Sequence, residues 1–175
     1  MLSVGLKMRK PLKKRYGKPK PHTSIQPRGT TLAVTVIADA SFCPQTRAGG
    51  WATWITSDKG RKQRAGCFHD LPKSPTEAEL WAALNGIWLA FEMGATHVLI
   101  QSDCTGALKL IDDGIPELNL FAGVFIRTKH VKGHTQTKDA RSYVNRWCDS
   151  EAKKHMRKQR ALLENESKFT TWGVY

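Results

Sequence analysis

Between residues 31 and 68 apolar and polar positions alternate in three short runs separated by turn formers: "TTLAVTVIADA", "GWATWITS" and "RKQRAGCF", joined by "SFCPQTRAG" and "DKG". Period-two patterning bounded in this way predicts three strands in an antiparallel meander. The period then changes. In "SPTEAELWAALNGIWLAFEMG" Leu80, Ala83, Leu84, Ile87, Trp88 and Phe91 recur on one helical face. Ser74, Pro75 and Glu77 fit a capping box at its start, and Gly94 suits its end. "THVLIQSD" predicts a fourth strand, "CTGALKLIDDG" a shorter helix, "GVFIRTKHV" a fifth strand, and a last helix is expected from about Tyr143 to Asn165. A strand, a long helix and a strand form a crossover, which makes the fourth strand parallel to the first.

Composition adds a partner to this outline. The 175 residues carry 28 Lys and Arg against 15 Asp and Glu, a net charge of +13, which favours a polyanion over a small metabolite. Nine of the cations lie in residues 1–38, which hold no acid, so the remainder is only mildly basic. Residues 1–28, rich in Lys and Pro and without hydrophobic periodicity, read as a basic, disordered arm ahead of one folded domain at 29–175. Cys43, Cys67, Cys104 and Cys148 are scattered without a CxxC pair, which suits reduced thiols in a cytoplasmic protein. No apolar run approaches membrane-spanning length, so the expectation is a soluble chain, and a monomer, since no heptad or exposed apolar stripe stands out.

The chemistry begins with Asp39 and Asp103. Each closes an apolar strand, and the crossover makes those strands parallel neighbours, so both carboxylates are expected at one edge of the sheet. Like charges so close repel and raise at least one pKa unless a cation sits between them. A divalent metal answers that need. Of the two acids on the intervening helix, Glu77 is accounted for by the cap and Glu79 is not, although the helical wheel does not decide where Glu79 points. Asp149 is expected to open the last helix, where the dipole favours an acid in any case.

In order, "IADAS", "AGGWA", "AELWAAL", "IQSD", "VKGH" and "NRWCD" make the chain resemble the type 1 ribonuclease H family, from roughly Leu32 to Met156. The resemblance implies an α/β ribonuclease H-like fold with a five-stranded mixed sheet flanked by helices. It also implies hydrolysis of the RNA strand of RNA/DNA hybrids, leaving a 5′-phosphate and a 3′-hydroxyl. Asp39, Glu79, Asp103 and Asp149 would hold two Mg²⁺ ions, with Mn²⁺ an alternative, for the in-line displacement that paired cations promote. His134 would assist metal or product turnover. Ser41, Lys132 and Asn145 fall within the motifs and are candidate substrate contacts.

The match has departures. Many members place Asn before the helix glutamate and an amide after the fourth-strand Asp, whereas this chain offers Thr76 and Thr105. Recognition of the 2′-hydroxyl, which separates RNA from DNA, would then rest on hydroxyls or backbone groups. The stretch from Asp103 to His134 is too short for the extra helix and basic protrusion with which some members grip the duplex, so the N-terminal arm is the candidate substitute. Two other functions remain open: a DNA nuclease of the same superfamily, and a non-catalytic basic module that binds nucleic acid.

Overall fold

The computed structural model describes residues 31–132 and 140–171. Five strands form one sheet: β1 (Ala33–Phe42), β2 (Gly49–Ser57), β3 (Gly60–Cys67), β4 (His97–Ser102) and β5 (Phe125–His130). Their spatial order is β3-β2-β1-β4-β5. The first three are antiparallel, and β4 runs parallel to both β1 and β5. The α/β class, the meander and the parallel crossover are as the sequence patterning predicts.

Helix α1 (Pro75–Glu92) starts at Ser74, whose hydroxyl accepts from the Glu77 N–H at 3.1 Å. The Glu77 carboxylate reaches back one residue further than a capping box requires, to the Lys73 N–H. At the other end Gly94 takes φ +80°. Its N–H donates to Phe91 O at 2.9 Å and that of Ala95 donates to Ala90 O at 3.0 Å, so the last carbonyls are satisfied by a left-handed cap.

The buried face of α1 keeps Ala83 and Ile87 of the expected face and is shifted for the rest. Ala78, Ala82, Ala83, Gly86, Ile87 and Ala90 meet the sheet, while Leu80, Leu84, Trp88 and Phe91 are half-buried on its flanks. Small residues let the helix lie close against the strands. A Cβ on Gly86 would fall 2.4 Å from Val36 Cγ1 and 2.7 Å from Thr53 Oγ1. The larger side chains fill the space beside this contact, where Trp88 and Phe91 pack on Phe121 with ring centroids 6.1 and 5.9 Å away. Phe121 ends a 3-10 helix (Pro116–Phe121) that follows α2 (Thr105–Asp112), in a stretch that reads only as a connector in the sequence.

The opposite face is covered by α3 (Ala140–Thr171), through Cys148 and Ala152 against Ala52 and Trp54. Trp54 meets Trp147 and Tyr143 edge-on at 5.4 and 6.0 Å. The helix is longer at both ends than expected. Its first turn is tied down by an Arg141 Nη2 hydrogen bond to Gln101 Oε1 (2.8 Å), and no Gly or Pro interrupts the sequence before Gly173. Where α3 crosses β2, a Cβ on Gly50 would lie 2.2 Å from Ala152 O and 2.4 Å from Met156 N. That close approach gives the "AGGWA" stretch its physical reason. Beside it, the Gln159 amide accepts from Gly49 N–H and donates to Phe68 O, both at 2.6 Å, clasping β2 and the residue after β3. Among the described residues no helix is long and apolar enough to cross a membrane.

Candidate active site

The β1–β4 register pairs Val36 with Ile100 and Ile37 with Gln101. Extended by two residues, it puts Asp39 level with Asp103. Asp103 leaves the sheet just after β4, as expected, whereas Asp39 does not close its strand: β1 continues to Phe42. The reason is that pairing with β2 persists through Asp39–Ala52 and Ser41–Gly50 after pairing with β4 has stopped. Asp39 therefore faces an opening on one side only, and Asp103 stands at its rim.

The capped start of α1 sets its phase, placing Ala78 on the sheet and Glu79 beside Asp39. One carboxylate oxygen from each of Asp39, Glu79 and Asp103 lies within 4.8 Å of the other two. Burial, then the charges of Asp103 and Asp149, push the Asp39 carboxyl up to about 7, against a hydrogen bond from the Ala40 N–H. Burial, then Asp39 and Asp103, push Glu79 up to about 9. Glu79 Oε2 is buried without a hydrogen-bond partner, an arrangement that costs free energy unless something else satisfies the oxygen. A set of carboxylate oxygens with one atom orphaned suits a hard divalent cation.

Asp149 corrects the sequence expectation. It does not open the last helix but lies in the third turn of α3, because α3 begins at Ala140. The dipole argument for an acid there does not apply, and Asp149 instead pairs with Lys153 one turn on, 2.8 Å away. It lines one cavity with Asp39, Asp103 and Asn145, so α3 brings the fourth acid to the mouth of the three-acid cluster.

The other candidates are dispersed. Ser41 is half-buried on β1, opposite Gly50. Thr76, in the first turn of α1, backs onto α2: a Cβ on Gly106 would come 3.1 Å from its Cγ2. The starts of the two helices, with Thr76 and the exposed Thr105, are thereby side by side. Lys132 is exposed just after β5. His134 lies outside the described residues. Cys148, next to Asp149, is fully buried, and burial followed by the Asp39 charge pushes its thiol up, so it packs as a neutral thiol.

Four further polar residues line the cavity and carry no role in the sequence reading: Gln101, Ser102, Ser142 and Arg146. Gln101 has a signal, being an amide inside an otherwise apolar strand. It is 5% exposed and held by Arg141. Arg146 stands in view within "NRWCD".

A family model described as reverse transcriptase-like matches residues 38–124. The N-terminal RNase H domain of a Mycobacterium tuberculosis protein, solved as a fusion with maltose-binding protein, superposes with a TM-score of 0.58 at 15% identity, covering 75% of this chain and 98% of that one. RNase H1 from the halophilic archaeon Halobacterium salinarum gives 0.56 at 14%, covering 72% and 98%. LC11-RNase H1, solved with an RNA/DNA hybrid, gives 0.52 at 12%, covering 71% and 97%. No curated protein matches the chain in sequence. The fold is ribonuclease H-like, and it carries an acidic cluster. These neighbours in fold are ribonuclease H proteins, the family that its motifs resemble.

Proposed function

We propose that the chain is a metal-dependent endonuclease that hydrolyses the RNA strand of RNA/DNA hybrids, leaving a 5′-phosphate and a 3′-hydroxyl. The observation that carries this reading is the trio of Asp39, Glu79 and Asp103 with its orphaned Glu79 oxygen. Mg²⁺ is the expected metal, with Mn²⁺ able to replace it, and two ions at such a site would supply Lewis-acid charge at the phosphoryl group and activate a water. Asp39, Glu79 and Asp103 hold the metals, and Asp149 joins them from α3. The paired starts of α1 and α2 bring Thr76 and Thr105 near one another, where hydroxyls can reach a ribose 2′-OH. Ser41, Lys132 and Asn145 contact the substrate, and His134 assists turnover from beyond β5. Residues 29–175 act as the catalytic domain and residues 1–28 as an added arm for polyanions. A hybrid is the substrate class for which a fold neighbour was solved in complex.

End-labelled RNA/DNA hybrid, RNA/RNA, DNA/DNA and single-stranded RNA, each with Mg²⁺ or EDTA, test the reading alongside Asp103→Asn. That substitution removes a ligand charge and almost no volume. Hybrid-specific, Mg²⁺-dependent cutting that falls by at least about 10²-fold in the variant is expected, in line with loss of charge stabilisation in a reaction of this kind. Cutting of duplex DNA would transfer the reading to a DNA nuclease, and binding without cutting to a non-catalytic module.

A further inference from the structure

If the substrate is a duplex, something must hold its backbone beyond the few atoms at the cut. The stretch in which some members carry a basic protrusion is unsuited to this. Between β4 and β5, from Cys104 to Val124, it offers a single cation, Lys109, against Asp112, Asp113 and Glu117, and Lys109 is itself paired with Asp113 at 2.6 Å. A polyanion gains nothing from that stretch.

The exposed side of α3 is different. At 100° per residue, Arg146, Lys153, Lys154, Arg157 and Lys158 fall on one arc, turned away from the buried Cys148 and Ala152. Lys153 is engaged with Asp149 and Lys154 with Glu151. Among the described residues no ion pair engages Arg146, Arg157 or Lys158. The row starts at the carboxylates, because Arg146 lines the same cavity as Asp39, Asp103 and Asp149. Arg146 and Arg157 are separated by roughly 16 Å along the helix axis. One strand of a duplex carries about five phosphates over such a length.

We infer that the outer row of α3 is the surface that grips the duplex: one strand leaves the carboxylates at Arg146 and its phosphates follow the helix past Arg157 and Lys158. The inference rests on the reading of the substrate as duplex nucleic acid, and it assigns the grip to the body of the protein rather than to the arm alone. Phosphate contacts position a duplex without reading its sequence. The row therefore sets affinity and salt dependence, and the choice of strand and sugar stays with the carboxylates and their neighbours.

The experiment uses the full chain carrying Asp103→Asn and a short fluorescein-labelled RNA/DNA hybrid, with affinity followed by anisotropy over a range of salt. Adding Arg157→Ser and Lys158→Ser should weaken binding roughly tenfold and flatten the slope of log affinity against log salt by about 1 to 2, near 0.9 for each phosphate that the protein no longer neutralises. A control pair, Lys62→Ser and Arg64→Ser, removes the same charge from β3 on the α1 side of the sheet, where these residues pair with Ile55 and Thr53. It should leave the slope in place. Equal flattening by both pairs would overturn the row in favour of diffuse attraction, and no flattening by the α3 pair would overturn it outright. Cleavage by the otherwise unaltered chain is scored separately. A chain that cuts nothing but shows the α3-specific slope keeps the grip and loses the nuclease reading, and a chain that cuts hybrid with an indifferent slope does the reverse.

Discussion

At the scale of single residues, the site is a place where charge is held against its preference. Asp39 and Glu79 are raised from their ordinary values of 3.8 and 4.5 to about 7 and about 9. A carboxyl whose folded pKa lies above its unfolded one stabilises the fold fully below the unfolded value, and that contribution is lost as pH rises through the folded value. Without metal the protein should thus lose stability between about pH 4 and pH 9 through these two groups. Thermal unfolding in EDTA should show Tm falling by several degrees across that window, since about 1 kcal/mol moves a domain of this size by about 2–4 °C. Glu79→Gln should flatten the fall and raise the metal-free Tm at alkaline pH, and added Mg²⁺ should raise Tm more at about pH 8 than at about pH 5. A Tm insensitive to pH in the metal-free protein would mean that the two acids are not buried together. Asp39 is legible in the sequence because an acid in an apolar strand is an unusual expense, and Glu79 because the cap accounts for Glu77 and leaves it over. Gln101 gives a weaker signal, since an amide in an apolar strand is less costly to bury than an acid, and Arg146 gives none, since one Arg on a helix is ordinary.

At the scale of elements, the period is legible in the sequence and the distance of approach is not. Strand alternation and the cap at Ser74 suffice to order the meander, the crossover and α1. The buried face of α1 holds Ile87 but leaves its other large apolar side chains on the flanks, because Ala82, Gly86 and Ala90 make the contact by being small. Asp149 escapes its expected place for a related reason: nothing in the residues just before Tyr143 forbids a helix, and the tether that starts α3 at Ala140 is a long-range bond to Gln101. Substitutions at the close approaches measure what they contribute. Gly86→Ala meets Val36 and Thr53 side chains, which can yield, and should cost about 1–3 kcal/mol in urea unfolding. Gly50→Ala meets the backbone of α3, which cannot yield without moving Asp149. It should cost more and reduce cleavage as well, and a Gly50→Ala protein with unaltered stability and turnover would show that α3 does not rest there.

At the scale of the molecule, charge is divided between an acidic interior cluster and a basic exterior. The net charge of +13 overstates the body, because residues 1–38 hold nine of the cations. Deleting residues 1–28 should weaken hybrid binding and flatten its salt slope while leaving the metal requirement and the cleavage products unchanged. An unaltered slope would remove the arm from the binding surface and leave the grip to α3. Composition makes the polyanionic partner legible, but no sequence pattern can assign its position. That depends on which turn of α3 lies on β2, and Gly50 and Gln159 decide it across a long separation in the chain.

The long separation between Asp39 and Asp149 also has a consequence in time. Asp39, Glu79 and Asp103 lie on the first sheet strand, the helix that follows the meander and the end of the crossover strand, all of which leave the ribosome early; Asp149 arrives only with α3, whose docking needs β2 already in place. A nascent chain thus carries all three clustered acids before the fourth has been made. On the four-acid reading, a chain that stops short of α3 would carry three of the proposed ligands and lack the one that completes the site.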